Sequence, residues 1–258
     1  MIPKIIHYCW FGGNPIPEKE QRYIESWKKF CPDFEIQEWN ENNFDISCNS
    51  YVAEAYQARK YAFVSDFVRL WVLAQYGGIY LDTDVELCQS IEPLLSHRAF
   101  SGFEDDSHIP TAIMGSEPHH PWIEMLLKYY DEKHFVLQDG TLDTTTNVTT
   151  ITKLTSEHYS ISLNNTFQEP EQGFVLYPTE YFCPKDHKTG LLRKTKNTVA
   201  IHHFAGSWIS EEEKKQHSKY QKAVRLFGPK YGEYLYVLQN VLQTEGVSGV
   251  IKRVKKKL

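Results

Sequence analysis

The 258-residue chain has no excess of positive charge: 28 Lys and Arg stand against 33 Asp and Glu, a formal net charge of -5. This excludes the broad basic field with which proteins gather nucleic acid. Cysteine is sparse and unpatterned. Cys9, Cys31, Cys48, Cys88 and Cys183 form no CxxC pair and no zinc-spaced cluster with histidine, so they read as reduced, mostly buried thiols. Long apolar runs are missing as well. No window nears about eighteen uninterrupted apolar residues, and the N-terminus enters IPKIIHY with no basic segment and apolar core; the expectation is no signal peptide and no membrane span. Internal repeats and low-complexity linkers are absent too. Without a secretory signal, the glycosylation-like triplets at Asn147 and Asn164 read as chance matches.

What is present is a core-forming composition, 41% hydrophobic and 14% aromatic, enough for one α/β domain with a small appendage. Five of the 28 cations fall in the last seven residues, setting a basic tail against an acidic body. Strands are expected at 4–8, 34–39, 79–81, 99–103, 111–114, 174–177 and 199–204. Helices are expected at 18–30, within 51–76 as one or two, at 121–130, 211–227 and 231–243. Strands alternating with helices in the first half imply a mainly parallel sheet, with antiparallel additions in the second. The Thr144–Thr149 stretch reads as a loop.

Residues 61–76, YAFVSDFVRLWVLAQY, are apolar around nearly the whole helix, apart from an arc of roughly 100° holding Ser65, Asp66 and Arg69. A helix of this kind is buried and carries an ion pair in with it. Burying two charges costs several kcal/mol per ion unless further groups satisfy them, which favours a ligand-binding role over an i,i+3 pair that only supports the helix. In GGIYLDTD (77–84), Asp82 and Asp84 stand two residues apart at a strand end and, in an extended segment, project to one side. Paired carboxylates repel unless a cation lies between them. Mg²⁺ or Mn²⁺, which complete their shells with substrate phosphates, fit this pair better than an EF-hand calcium loop, whose glycine and third ligand are lacking. Open parallel sheets bind ligands beyond the carboxyl ends of their strands, where the pair falls. A further cluster, AIHHFAGSW (200–208), offers His202 or His203 together with Ser207 and Trp208.

These motifs, with IPKIIH and WFGG near the N-terminus, AxxSDxxR at 62–69 and HHFAGSW at 202–208, resemble glycosyltransferase family 32. More distantly, the chain looks like the catalytic domain of the large clostridial glucosylating toxins. The resemblance covers about residues 1–210. It implies a GT-A, Rossmann-like α/β fold with a mainly parallel mixed sheet flanked by helices; the helical C-terminal extension over 211–258, read from the sequence pattern, lies outside these motifs. It also implies a retaining enzyme with a nucleotide-sugar donor and a divalent cation, Mn²⁺ or Mg²⁺. On it, Trp10 stacks on the base, Asp66 holds ribose or sugar hydroxyls and Arg69 contacts sugar or phosphate; Asp66, Arg69 and Asp82 are the catalytic candidates. Ser65, Tyr80, Asp82, Asn147 and Trp208 join Trp10, Asp66 and Arg69 as donor-binding candidates. Asp82, Asp84, Ser207 and His202 are the metal candidates, with His203 a competitor for the last place. The Thr144–Thr149 stretch departs from the family, many members of which carry a Gly-Pro pair there.

The expected reaction moves a sugar, such as galactose or N-acetylhexosamine from its UDP donor, to a glycan or lipid-linked glycan. The expected setting is bacterial surface or capsular polysaccharide synthesis in the cytoplasm, with the basic tail as a peripheral contact to the membrane. The rivals are a haloacid-dehalogenase-like phosphatase, whose strand also ends in Asp-x-Asp-x-Val, and a non-catalytic glycan-binding module.

Overall fold

The computed structural model describes residues 1–206 and 209–255. Its strands are β1 (Ile5–Cys9), β2 (Glu35–Trp39), β3 (Gly78–Leu81), β4 (Val85–Leu87), β5 (Ala99–Gly102), β6 (Ile113–Ser116), β7 (Phe174–Tyr177) and β8 (Ala200–His202). Its α-helices are α1 (Glu18–Phe30), α2 (Ser50–Gln57), α3 (Tyr61–Tyr76), α4 (Pro121–Lys128), α5 (Asn147–His158), α6 (Thr179–Phe182) and α7 (Glu211–Lys255). Six strands form one sheet in the order β2-β1-β3-β6-β5-β7, and β4 pairs antiparallel with β8 in a second, smaller sheet. Only β6 runs against the other strands of the large sheet, so the carboxyl ends of β1, β2, β3, β5 and β7 share one edge.

Alternation along the strands divides the core between the two faces of the sheet. Tyr80, Met114, Phe174 and Leu176 enter one cluster with α2, α3, α4 and α5; Ile79, Leu81, Ile113 and Val175 enter the other with α1. Since both faces are covered, β3 is buried at every position and reads as an unbroken apolar run. Trp27 of α1 is fully buried, and its indole N–H donates to the Val85 carbonyl at 2.8 Å, tying α1 to β4.

The two glycines of GGIY have separate tasks. Gly77, at φ 65°, closes α3 with its N–H on the Leu73 carbonyl, and a Cβ there would lie 2.6 Å from Pro118. Gly78, at φ 98°, opens β3 where a Cβ would lie 2.7 Å from the Ile5 carbonyl oxygen. The helix therefore stops and turns directly onto a strand pressed against β1.

Several stretches depart from the sequence expectation, the short helix α6 among them. The 144–149 stretch is not all loop, because Asn147 begins α5. Its Thr-rich sequence is a poor helix former, but tertiary bonds hold it: the Trp122 indole donates to Thr155 Oγ1 and the Ile109 N–H to Thr152 Oγ1, both at 2.9 Å. Asp82-Thr83-Asp84 is a turn rather than an extended end, closed by the Val85 N–H on the Asp82 carbonyl at 3.0 Å. The chain then re-enters an extended form as β4, which no sequence pattern announced.

By its internal contacts the chain divides into two compact units: Met1–Pro184 with the stretch from Arg193, and Lys185–Leu192 with the segment from Ile209. In the second, α7 is interrupted at Gly228 (φ 77°) and Pro229. There the chain folds back, so that Gly232 packs on the Val224 backbone and the Tyr220 and Tyr236 rings meet edge-on at 5.3 Å. The result is a helical hairpin, whose second arm runs on to Lys255, beyond the expected end at 243. The His187 carbonyl bonds His217 Nε2 at 2.8 Å and anchors the 185–192 turn to the first arm.

Candidate functional site

Arg69 lies at the centre of the carboxyl edge, 3% exposed. Its Nε donates to the Ser65 carbonyl at 3.1 Å and Nη1 to the Thr111 carbonyl at 2.7 Å, while Nη2 lies 3.0 Å from Asp66 Oδ1 and 3.4 Å from Asp82 Oδ1. Its guanidinium carbon lies 4.8 Å from the centroid of the Tyr80 ring, and the Tyr80 hydroxyl donates to Asp82 Oδ1 at 2.8 Å. Burial works against the guanidinium charge, but Asp82, Tyr80 and Asp66 raise its pKa further above the ordinary value. Burial pushes Asp66 up to about 7, against the pull of Arg69, so this carboxyl titrates near neutrality. Arg69 thus reaches the open site through two carboxylates, each held in a fixed place.

The second half of the site comes from the β4–β8 ribbon. Val85 pairs with His202 in the ladder, which brings the turn holding Asp82 and Asp84 against the end of β8. Asp82, Asp84 and His202 each offer one ligand atom, and the three lie within 4.8 Å of one another. Asp84 Oδ2 accepts the Ala205 N–H at 2.7 Å, a contact made possible by Phe204 at φ 55°. His202 Nε2 lies 3.5 Å from Asp84 Oδ1, and the Cys183 thiol neighbours the same imidazole. Despite burial, His202 and the Ala205 N–H hold Asp84 down at about 2; Asp84 in turn raises His202 well above the ordinary histidine value, also against burial. A proton on His202 here occupies the role a cation would take. Two carboxylates and an imidazole nitrogen this close together fit a divalent ion, Mn²⁺ or Mg²⁺.

The other sequence candidates fall as follows. Ser65 Oγ lies 3.4 Å from Arg69 Nη2, and Asn147 Nδ2 donates to the Asp66 carbonyl at 3.5 Å, with Asn147 Oδ1 accepting from Tyr130. Tyr80 is 1% exposed, underneath Arg69 and Asp82. Trp10, half-buried just beyond β1, donates its indole N–H to the Asn14 carbonyl at 2.6 Å. His203 turns away from the cation position: its Nε2 meets Glu86 Oε2 at 2.9 Å and its ring stacks on Tyr23 at 4.5 Å. Ser207 and Trp208 lie outside the described residues. Sequence reasoning missed the Thr111 carbonyl and the Ala205 N–H, since backbone groups leave no mark in residue types. It also missed Cys183, just past the end of α6, whose thiol neighbours His202 and whose pKa burial raises.

Residues 17–101 match the family model described as glycosyltransferase sugar-binding region containing DXD motif. Inositol phosphoceramide mannosyltransferase 3 of Schizosaccharomyces pombe is 34% identical over 135 residues, 49% of this chain and 36% of that protein. Mannosyl phosphorylinositol ceramide synthase CSH1 of Saccharomyces cerevisiae is 27% identical over 143 residues, 53% of this chain and 38% of that protein. The chain thus spans little more than a third of the length of these curated relatives. Among solved structures, the PaToxG glycosyltransferase aligns over 60% of this chain and 68% of its own, at 19% identity and a TM-score of 0.46.

Proposed function

We propose, from the match of residues 17–101 to the DXD-containing sugar-binding region of glycosyltransferases, that the protein moves a sugar from a nucleotide-sugar donor to a glycan or lipid-linked glycan, with retention of configuration. One observation carries the reading: Asp82, Asp84 and His202 converge beside the buried Asp66–Arg69 pair at the carboxyl edge of the sheet. A divalent cation bound there would supply Lewis-acid stabilisation of the departing diphosphate. The chain's own part is orientation. Arg69 fixes Asp66 and Asp82, Asp66 takes ribose or sugar hydroxyls, and Trp10 stacks on the base. Ser207 and Trp208 belong to the same reading through the sequence motif. With no enzyme nucleophile assigned, the acceptor hydroxyl attacks on the face the diphosphate leaves and gives its proton to a phosphate oxygen.

The preferred donor is a UDP-sugar such as UDP-galactose or UDP-N-acetylhexosamine, in surface or capsular polysaccharide assembly at the inner face of the cytoplasmic membrane, with the basic tail over 252–258 as a membrane contact. The names of the fungal relatives support a second reading, mannose as the sugar and a phosphoinositol sphingolipid as the acceptor. Nucleotide release from a panel of UDP-sugars and GDP-mannose, with Mn²⁺ and then with EDTA, tests both. The expected result is one preferred donor whose turnover stops on chelation. Phosphate release from simple esters with every sugar nucleotide untouched would assign the phosphatase chemistry instead, and sugar binding without turnover of any donor would assign a lectin.

A further inference from the structure

We propose that the tip of the α7 hairpin, residues 225–231, docks the protein on a bilayer that carries anionic lipid. The segment reads Arg-Leu-Phe-Gly-Pro-Lys-Tyr. Leu226, Phe227 and Tyr231 are 66%, 54% and 68% exposed, three large apolar side chains gathered around the Gly228-Pro229 reversal. Scattered single apolar residues on a surface are ordinary; a cluster at the apex of a hairpin is not. The hairpin itself is built to hold that apex. Val224 is buried against the Gly232 backbone, and Gln216 accepts from the Tyr236 hydroxyl, so the arms close behind the tip and leave its apolar residues outside.

Charge selects the partner. From Lys214 through Gly232 the sequence has six Lys and Arg residues and no acidic one, in a chain whose net charge is -5. Arg225 and Lys230, both exposed, flank the apolar trio directly. A hairpin tip of leucine and aromatic rings between cations offers exposed apolar side chains and positive charge together. It matches a fluid interface that accepts apolar side chains below the headgroups while anionic lipid meets the cations. Leucine and phenylalanine enter furthest, and tyrosine, with its polar end, suits the headgroup level.

Co-sedimentation of the full chain with phosphatidylcholine vesicles, made with and without phosphatidylglycerol, tests this. Wild type is expected in the pellet only with phosphatidylglycerol, and less of it as salt rises. The triple variant L226S/F227S/Y231S and the double variant R225E/K230E should each lower vesicle affinity by about tenfold or more. All five positions are exposed, so far-UV circular dichroism and thermal melting should be unchanged. The docking does not rest on the sugar-transfer reading, and nucleotide release in vesicle-free solution reports on that reading separately. Failure of wild type to sediment, or full binding by the triple variant, would overturn the proposal. So would a wild-type dimer in sedimentation velocity that the triple variant dissolves in the absence of any vesicle binding, which would assign the tip to self-association.

Discussion

Arg69 uses every nitrogen it has: one on the Ser65 carbonyl, one on the Thr111 carbonyl, and one shared by Asp66 and Asp82. Lysine offers a point charge on a flexible stem and cannot reproduce that planar set. Arg69→Lys should therefore leave buried carboxylates poorly paired and cost about 3 kcal/mol, read as a lower urea midpoint, with donor turnover falling by a larger factor than donor affinity. Asp84 invites a gentler change, because Asp84→Asn keeps an acceptor for the Ala205 N–H but loses a ligand charge. Folding should survive while Mn²⁺ affinity, measured by calorimetry, drops at least about tenfold. In wild type the same titration should release a proton, since the cation displaces the one that Asp84 holds on His202, and affinity should accordingly rise with pH. The carboxylates, Ser65, Arg69 and the histidine pair were legible because charge in apolar surroundings is conspicuous. The choice between His202 and His203 was not, because adjacent strand residues face opposite sides and only the pairing with β4 tells which side holds the aspartates.

At the scale of elements, α3 and β3 were readable because an all-round apolar helix and a buried strand both write themselves as apolar runs broken by glycine. Gly78 tests that junction. Alanine there would place its Cβ 2.7 Å from the Ile5 oxygen at a φ of 98°, so Gly78→Ala should cost about 2–4 kcal/mol, seen as a lower melting temperature. Gly228, also at positive φ, has nothing within 4 Å of an added Cβ, and alanine there should cost less, from backbone strain alone. What stayed illegible at this scale was short or propensity-poor: the three residues of β4, the four of α6, and α5, whose helix depends on bonds from Trp122 and Ile109.

Across the whole molecule, two buried groups in opposite senses shape the response to acid. Trp39 donates to His7 Nδ1 at 3.1 Å and Gly77 accepts from Nε2 at 2.9 Å, so His7 is a neutral imidazole, which burial lowers to about 4. Its folded pKa lies below the unfolded value, so its contribution is full above about 6.5 and is lost as pH falls towards 4. Asp66 is raised to about 7; its contribution is full below about 4 and is lost as pH rises through 7. At about 1.36 kcal/mol per pKa unit, His7 amounts to roughly 3 kcal/mol and Asp66 to roughly 4, so over pH 4 to 7 they largely offset one another. Urea midpoints measured across that range, without donor or cation, should vary little in wild type, fall with acid in Asp66→Asn, and rise with acid in His7→Gln.

The β4–β8 ribbon has a consequence for synthesis. A protein is made from its N-terminus onward, and the sheet segment that carries Asp82 and Asp84 leaves the ribosome more than a hundred residues ahead of His202. Until that last short strand emerges and zips against residues 85–87, the two aspartates have neither imidazole nor Ala205 N–H beside them, and a nascent chain can present no complete cation seat. The site closes late, as a clasp fastened by nearly the last part of the sheet unit to be translated. A ribosome-bound chain arrested before residue 200 should accordingly be silent towards Mn²⁺, however well its large sheet has formed.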